Sequence, residues 1–242
     1  MLHIYKRELH SFFTSPLAYA ICAVFMLIFS ITFIFGITDL DGTTFSFSFP
    51  AIFYTQFFYF IFLLPALTMK AFTEERRAGT EVLLFSSPLK LSSVVLGKFL
   101  AVSTVYLAML AVSFVYPLIA MIYGNVVWSS LLCGYIGFFL WGMCCISVGL
   151  LMSALTENQV VAAILSEGAM LLLFFLDTFK NNAFISSLPV VSDVFDYLSS
   201  QNRFLGFSKG IFTLDDLVYY VVFILAFLFI TMITIEKRRF SR

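Results

Sequence analysis

Charge is what this sequence has least of. Only 12% of its 242 residues are Asp, Glu, Lys or Arg, against about 25% in a soluble domain, so the folded surface faces something other than water. The charges that exist sum to zero, so no strongly basic face suggests nucleic acid. Histidine is scarcer still. His3 and His10 are the only two, both in the N-terminal segment, so no Ser–His pair can be assembled inside a membrane. The four cysteines, Cys22, Cys133, Cys144 and Cys145, fall in apolar runs and read as small packing residues, not as a disulfide framework or a CxxC metal site. Cys144-Cys145 has no His or carboxylate spaced around it for zinc. The pattern GxxxxGK[ST] is missing, since Gly97-Lys98-Phe99 lacks both the upstream glycine and the hydroxyl, so no P-loop binds ATP here. Neither a TVGYG potassium filter nor an Asn-Pro-Ala pair occurs. What remains is a conduit or an anchor, not a catalyst.

Apolar residues dominate instead, at 61% with a mean hydropathy of +1.01. A helix needs about 20 of them to cross the hydrocarbon core of a bilayer. Uncharged runs satisfy this at 17–38 and 51–69. The charge-free stretch Phe99 to Thr156 is too long for one span, and Gly124-Asn125 is its best turn signal, dividing it into spans at 94–123 and 127–152. A fifth span at 158–176 carries Glu167, and a sixth at 217–235 stops at Glu236-Lys237-Arg238-Arg239. The prediction is an all-α integral membrane protein in one transmembrane domain, since barrel strands would alternate in short segments. The first run exceeds the usual signal-peptide core and no small-x-small site follows it, so it is expected to be retained.

Lys and Arg counts orient the spans. Eleven of the 14 basic residues lie in the N-terminal segment, in or just after the loop between spans two and three, and in the tail. Lys180, Arg203 and Lys209 lie on the other side. The positive-inside rule therefore predicts both termini in the cytoplasm.

Residues 1–16 form a separate object. At 100° per residue Leu2, Tyr5, Leu9, Phe12 and Phe13 share one arc, with Ile4 the exception. This predicts an amphipathic interfacial helix halted by Ser15-Pro16. The loop at 70–93 places Thr73 as a helix cap, Glu74 and Glu75 at the positive end of that helix, Gly79 as its stop and Thr80 as a second cap, with Pro88 breaking before span three. Two short helices beneath the membrane are expected, carrying mixed charge suited to a partner protein. A solvated loop that only sets topology fits the same residues. The outer loop at 177–216 is half apolar and should fold back as short re-entrant or interfacial helices.

Glu167 lies roughly 14 Å into its span. A carboxylate there either lines a path or subunit seam, or is a neutral acid hydrogen-bonded to a neighbouring hydroxyl.

The stretch Phe72-Thr73-Glu74-Glu75-Arg76-Arg77-Ala78-Gly79-Thr80-Glu81-Val82-Leu83-Leu84, with Ser87-Pro88-Leu89 and Gly97-Lys98, resembles the F-x-E-E-(R/K)-x-x-G-T-x-(E/D)-x-L-L…P-(L/I)…G-K pattern of ABC-2 type transporter permease subunits. Phe207-Ser208-Lys209-Gly210-Ile211, Asp215-Asp216-Leu217-Val218-Tyr219-Tyr220 and the basic tail are similar to the subgroup of gliding-motility and nitrous-oxide-reductase-maturation permeases. The resemblance, which covers the whole layout, implies a bacterial plasma-membrane permease, and an exporter, with a cytoplasmic coupling helix. Glu74, Glu75, Arg76, Arg77, Gly79 and Thr80 would contact a separate ATPase that carries the ATP and Mg, so this chain itself binds no cofactor. It also implies a second permease subunit, surrounding lipid and an accessory membrane protein as partners. A secondary transporter would need ionisable residues through its spans, and a mechanical scaffold would use the same coupling loop.

Overall fold

The computed structural model describes residues 1–39, 45–47, 49–81, 90–180 and 199–240. Its body is helical: α1 (Leu2–Thr14), α2 (Pro16–Phe35), α3 (Phe49–Thr68), α4 (Lys70–Arg77), α5 (Leu91–Ser113), α6 (Val115–Tyr123), α7 (Trp128–Leu155), α8 (Gln159–Lys180), α9 (Ser200–Ser208) and α10 (Leu214–Phe240). Six helices, with α3–α4 and α5–α6 each counted as one, are long and apolar enough to cross a membrane. That is the architecture of a multi-pass membrane protein.

Four details depart from the sequence-based expectation. The third span is interrupted at Phe114 because Pro117, lacking an N–H, cannot bond the Ser113 carbonyl four residues back. The Tyr135 hydroxyl of α7 donates to that vacated carbonyl at 3.2 Å. The loop helix starts at Lys70, separated from α3 by Met69 alone, so the Thr73 hydroxyl caps nothing and bonds the Met69 carbonyl one turn back. In α1 the exception becomes the anchor: Ile4 is 6% exposed and packs on Gly97 of α5, whereas Leu2 is 63% exposed. The helix faces protein with Ile4, Glu8 and Phe12, and turns Leu2 and Phe13 outward. Finally, a small three-stranded patch joins β1 (Ile37–Asp39), antiparallel to β2 (Phe45–Phe47), which runs parallel to β3 (Gly124–Asn125). Gly124-Asn125 thus does divide the long apolar run. The expected second loop helix and most of the 177–198 outer segment lie outside the described residues.

α7 is the hub, packed against α3, α5, α8, α9, α10 and α4. Small residues let backbones approach where lipid offers no hydrophobic drive between helices. A Cβ on Gly142 would collide with the Tyr106 ring, and one on Gly149 with Thr68. Aromatic rings fill the space between: Phe57 stacks on Trp141 at 4.2 Å and on Phe204 at 4.5 Å. Their polar handles find carbonyls, Trp141 Nε1 donating to Phe57 and the Tyr106 hydroxyl to Phe138. Phe204 and Phe207 belong to α9, so the described part of the outer loop does fold back onto the spans, held there also by Arg203 on Asp216 at 2.9 Å.

Candidate functional site at the charged end

One end of the bundle collects α1, α4, the start of α5, the α7–α8 turn and the last turns of α10. The charge there is organised around a buried lysine. Lys98, 2% exposed, lies about two turns into the third span. Its ammonium sits 3.2 Å from Glu8 Oε1 and 3.1 Å from Glu75 Oε1, donates to the Ala71 carbonyl at 2.5 Å and rests over the Phe72 ring. Arg7 completes a square by bridging the same two carboxylate oxygens at 2.6 Å each. Cations and carboxylates alternate, so the desolvation cost of a buried ammonium is offset on two sides. The hydrogen bond to Glu8 holds the Arg7 pKa above its ordinary value, burial working against it and Glu75 adding to it. A raised cation pKa means that this contribution to stability is complete below the ordinary arginine value and lost only as pH climbs through the raised one.

The square welds three elements that the sequence separates widely. α1 supplies Arg7 and Glu8, α4 supplies Glu75, and α5 supplies Lys98. Further ties reach the hub: the Phe72 amide donates to Ser153 Oγ at 2.8 Å, and Arg76 Nη2 donates to Glu157 at 2.8 Å. Arg76 Nε stands 3.8 Å from Glu81. Arg238 Nη2 donates to the Leu155 carbonyl at 2.8 Å, a cation at a helix C-terminus.

The six residues singled out in the loop therefore divide into two sets. Glu75 and Arg76 turn inward and are held by ion pairs within the chain. Glu74, Arg77, Gly79 and Thr80 are exposed, and Glu74 and Arg77 have no ion pair among the described residues. Gly79 ends α4 as its residue type requires: its φ of 69° is costly for any residue with a Cβ, and its amide bonds the Arg76 carbonyl. The Thr80 hydroxyl donates back to the Glu75 carbonyl at 3.2 Å, closing the turn. Glu167 is elsewhere, half-buried on α8 with no hydrogen bond or ion pair among the described residues.

Sequence reasoning missed Arg7, Glu8, Lys98, Ser153 and Glu157. Lys98 carried a signal, being the charge just before a long charge-free run; a cation placed there needs a carboxylate brought to it. Compared with known proteins, the chain matches no protein-family model and no curated protein at a significant level.

Proposed function

We propose that this chain is the membrane-spanning subunit of an ATP-driven exporter of the ABC-2 permease type, coupled to a separate cytoplasmic ATPase that holds ATP and Mg. The observation that carries the reading is the exposed turn at Arg77–Thr80, mounted on a helix that runs almost without break from α3 and is bolted to α1, α5 and α7. A push on such a turn moves spans instead of bending a loop. On this reading the charged end is cytoplasmic in a bacterial plasma membrane, with both termini inside. Arg77, Gly79 and Thr80 touch the ATPase, Glu74 borders that contact, and Glu75 and Arg76 transmit force inward. A second permease subunit completes the pathway, and Glu167, on a span that buries little of itself, faces that pathway or the seam.

The test is ATP hydrolysis by the reconstituted complex. Gly79→Pro cannot adopt the positive φ, and Arg77→Glu reverses the free charge of the turn. Each should abolish permease-dependent stimulation of ATPase activity while the chain still inserts and elutes normally. Undiminished stimulation in both variants would remove the coupling role from this turn.

A further inference from the structure

Where α1 ends and α2 begins, α4 passes alongside and leaves a recess of about 200 Å³ lined by Glu8, Ser11, Ser15, Leu17, Lys70 and Glu74, among others. Its position is set by the elbow at Ser15-Pro16, between α1 and the first candidate span; a chain that passes from an interfacial helix into a span turns at the level of lipid headgroups. Its polar groups are open in an unusual way. Lys70 and Glu74 stand one turn apart on α4, yet form no ion pair with each other or with any described residue. Lysine preceding glutamate at this spacing is the weaker order for pairing, so both charges stay available. The Ser15 hydroxyl makes no capping bond to α2, and the Ser11 hydroxyl has no partner among the described residues. By contrast, the acceptors that end α1 are taken: the His10 and Ser11 carbonyls by Thr14, that of Phe12 by the Ser15 amide, and that of Phe13 by the Tyr19 hydroxyl.

The recess thus offers a cation with two hydroxyls at its disposal, a Glu8 carboxylate already paired with Arg7 and Lys98, and a second carboxylate, Glu74, one helical turn from Lys70. Leu17 at its rim leads by sevens to Val24 and Ile31, both exposed, so one face of α2 provides an apolar track into the membrane. We propose that this recess binds a zwitterionic phospholipid with a primary ammonium head, phosphatidylethanolamine in type. Lys70, with the Ser11 and Ser15 hydroxyls, takes the phosphate. Glu74 accepts from the ammonium, and an acyl chain follows Leu17 along α2. A quaternary choline head has no N–H for Glu74, and a glycerol head has no cation, so the site discriminates among phospholipids.

Native mass spectrometry of the purified full-length chain tests this. The chain is titrated with phosphatidylethanolamine, phosphatidylcholine and phosphatidylglycerol of identical acyl chains. The ethanolamine lipid should be retained about tenfold more strongly than either, the scale of one charge-assisted contact. Lys70→Gln should weaken it by a similar factor, and Glu74→Gln should erase its advantage over the choline lipid. Equal retention of the three lipids, a lead for phosphatidylglycerol, or a preference surviving both substitutions would overturn the proposal. Displacement of the lipid by inorganic phosphate at equal concentration would also overturn it, assigning the site to a free anion. The lipid comparison is made on the unaltered chain, so a variant that fails to fold does not remove the test.

Discussion

α7 and α8 are neighbours joined by a short turn, and their most apolar stretches have the same mean hydropathy, 2.0. Yet 72% of that stretch is buried in α7 and only 17% in α8. Hydropathy measures the medium a helix tolerates, not the neighbour it takes. What separates the two is side-chain size along each face. α7 sets glycines opposite rings and hydroxyls, so α3, α5 and α9 can close on it. α8 turns Val160, Ile164, Leu165, Leu172 and Phe175 outward, a surface suited to lipid or to a second subunit.

Truncating the hub should hurt most. Trp141→Ala removes a fully buried ring and its bond to the Phe57 carbonyl, and should cost about 3–5 kcal/mol, read as a large fall in melting temperature in detergent. Lys98→Met asks whether charge can weld as firmly as packing: it leaves Glu8 and Glu75 with Arg7 alone and should cost about 3 kcal/mol. Gly142→Ala overpacks the Tyr106 contact and should cost about 1–3 kcal/mol. On α8 the same assay should barely move. Ile164→Ala, at a position 60% exposed, and Glu167→Gln should each stay within about 0.5 kcal/mol. If Ile164→Ala destabilised the chain as much as Gly142→Ala, the contrast between the two helices would collapse. On the transport reading Glu167→Gln changes export while leaving assembly intact, and normal export would take Glu167 out of the pathway.

The spans were legible because twenty apolar residues between charges admit few alternatives, and Gly79 was legible because a helix stop at positive φ favours glycine. The clustering at the charged end was not. Glu8, Glu75 and Lys98 lie on three elements, and nothing local in sequence says that they converge. Ile4 shows the same limit in miniature. An apolar arc drawn for one helix assumes a single apolar environment, whereas α1 meets protein on one face and an outward, lipid-suited surface on the next. Thr73 failed as a cap because propensity at one residue yields to a helix already running from α3. The unequal burial of α7 and α8 was hidden for the reason their hydropathies agree: lipid and protein interior are equally apolar.

The central claim is that a separate ATPase seats on the Arg77–Thr80 turn. A photo-crosslinking residue at position 80, installed in the native cell and compared with one at the outward-facing Phe13, tests it most directly. Position 80 should capture a polypeptide that binds ATP and whose hydrolysis rises when this chain is present, and position 13 should not. Capture of no ATP-binding polypeptide at position 80 would contradict the account.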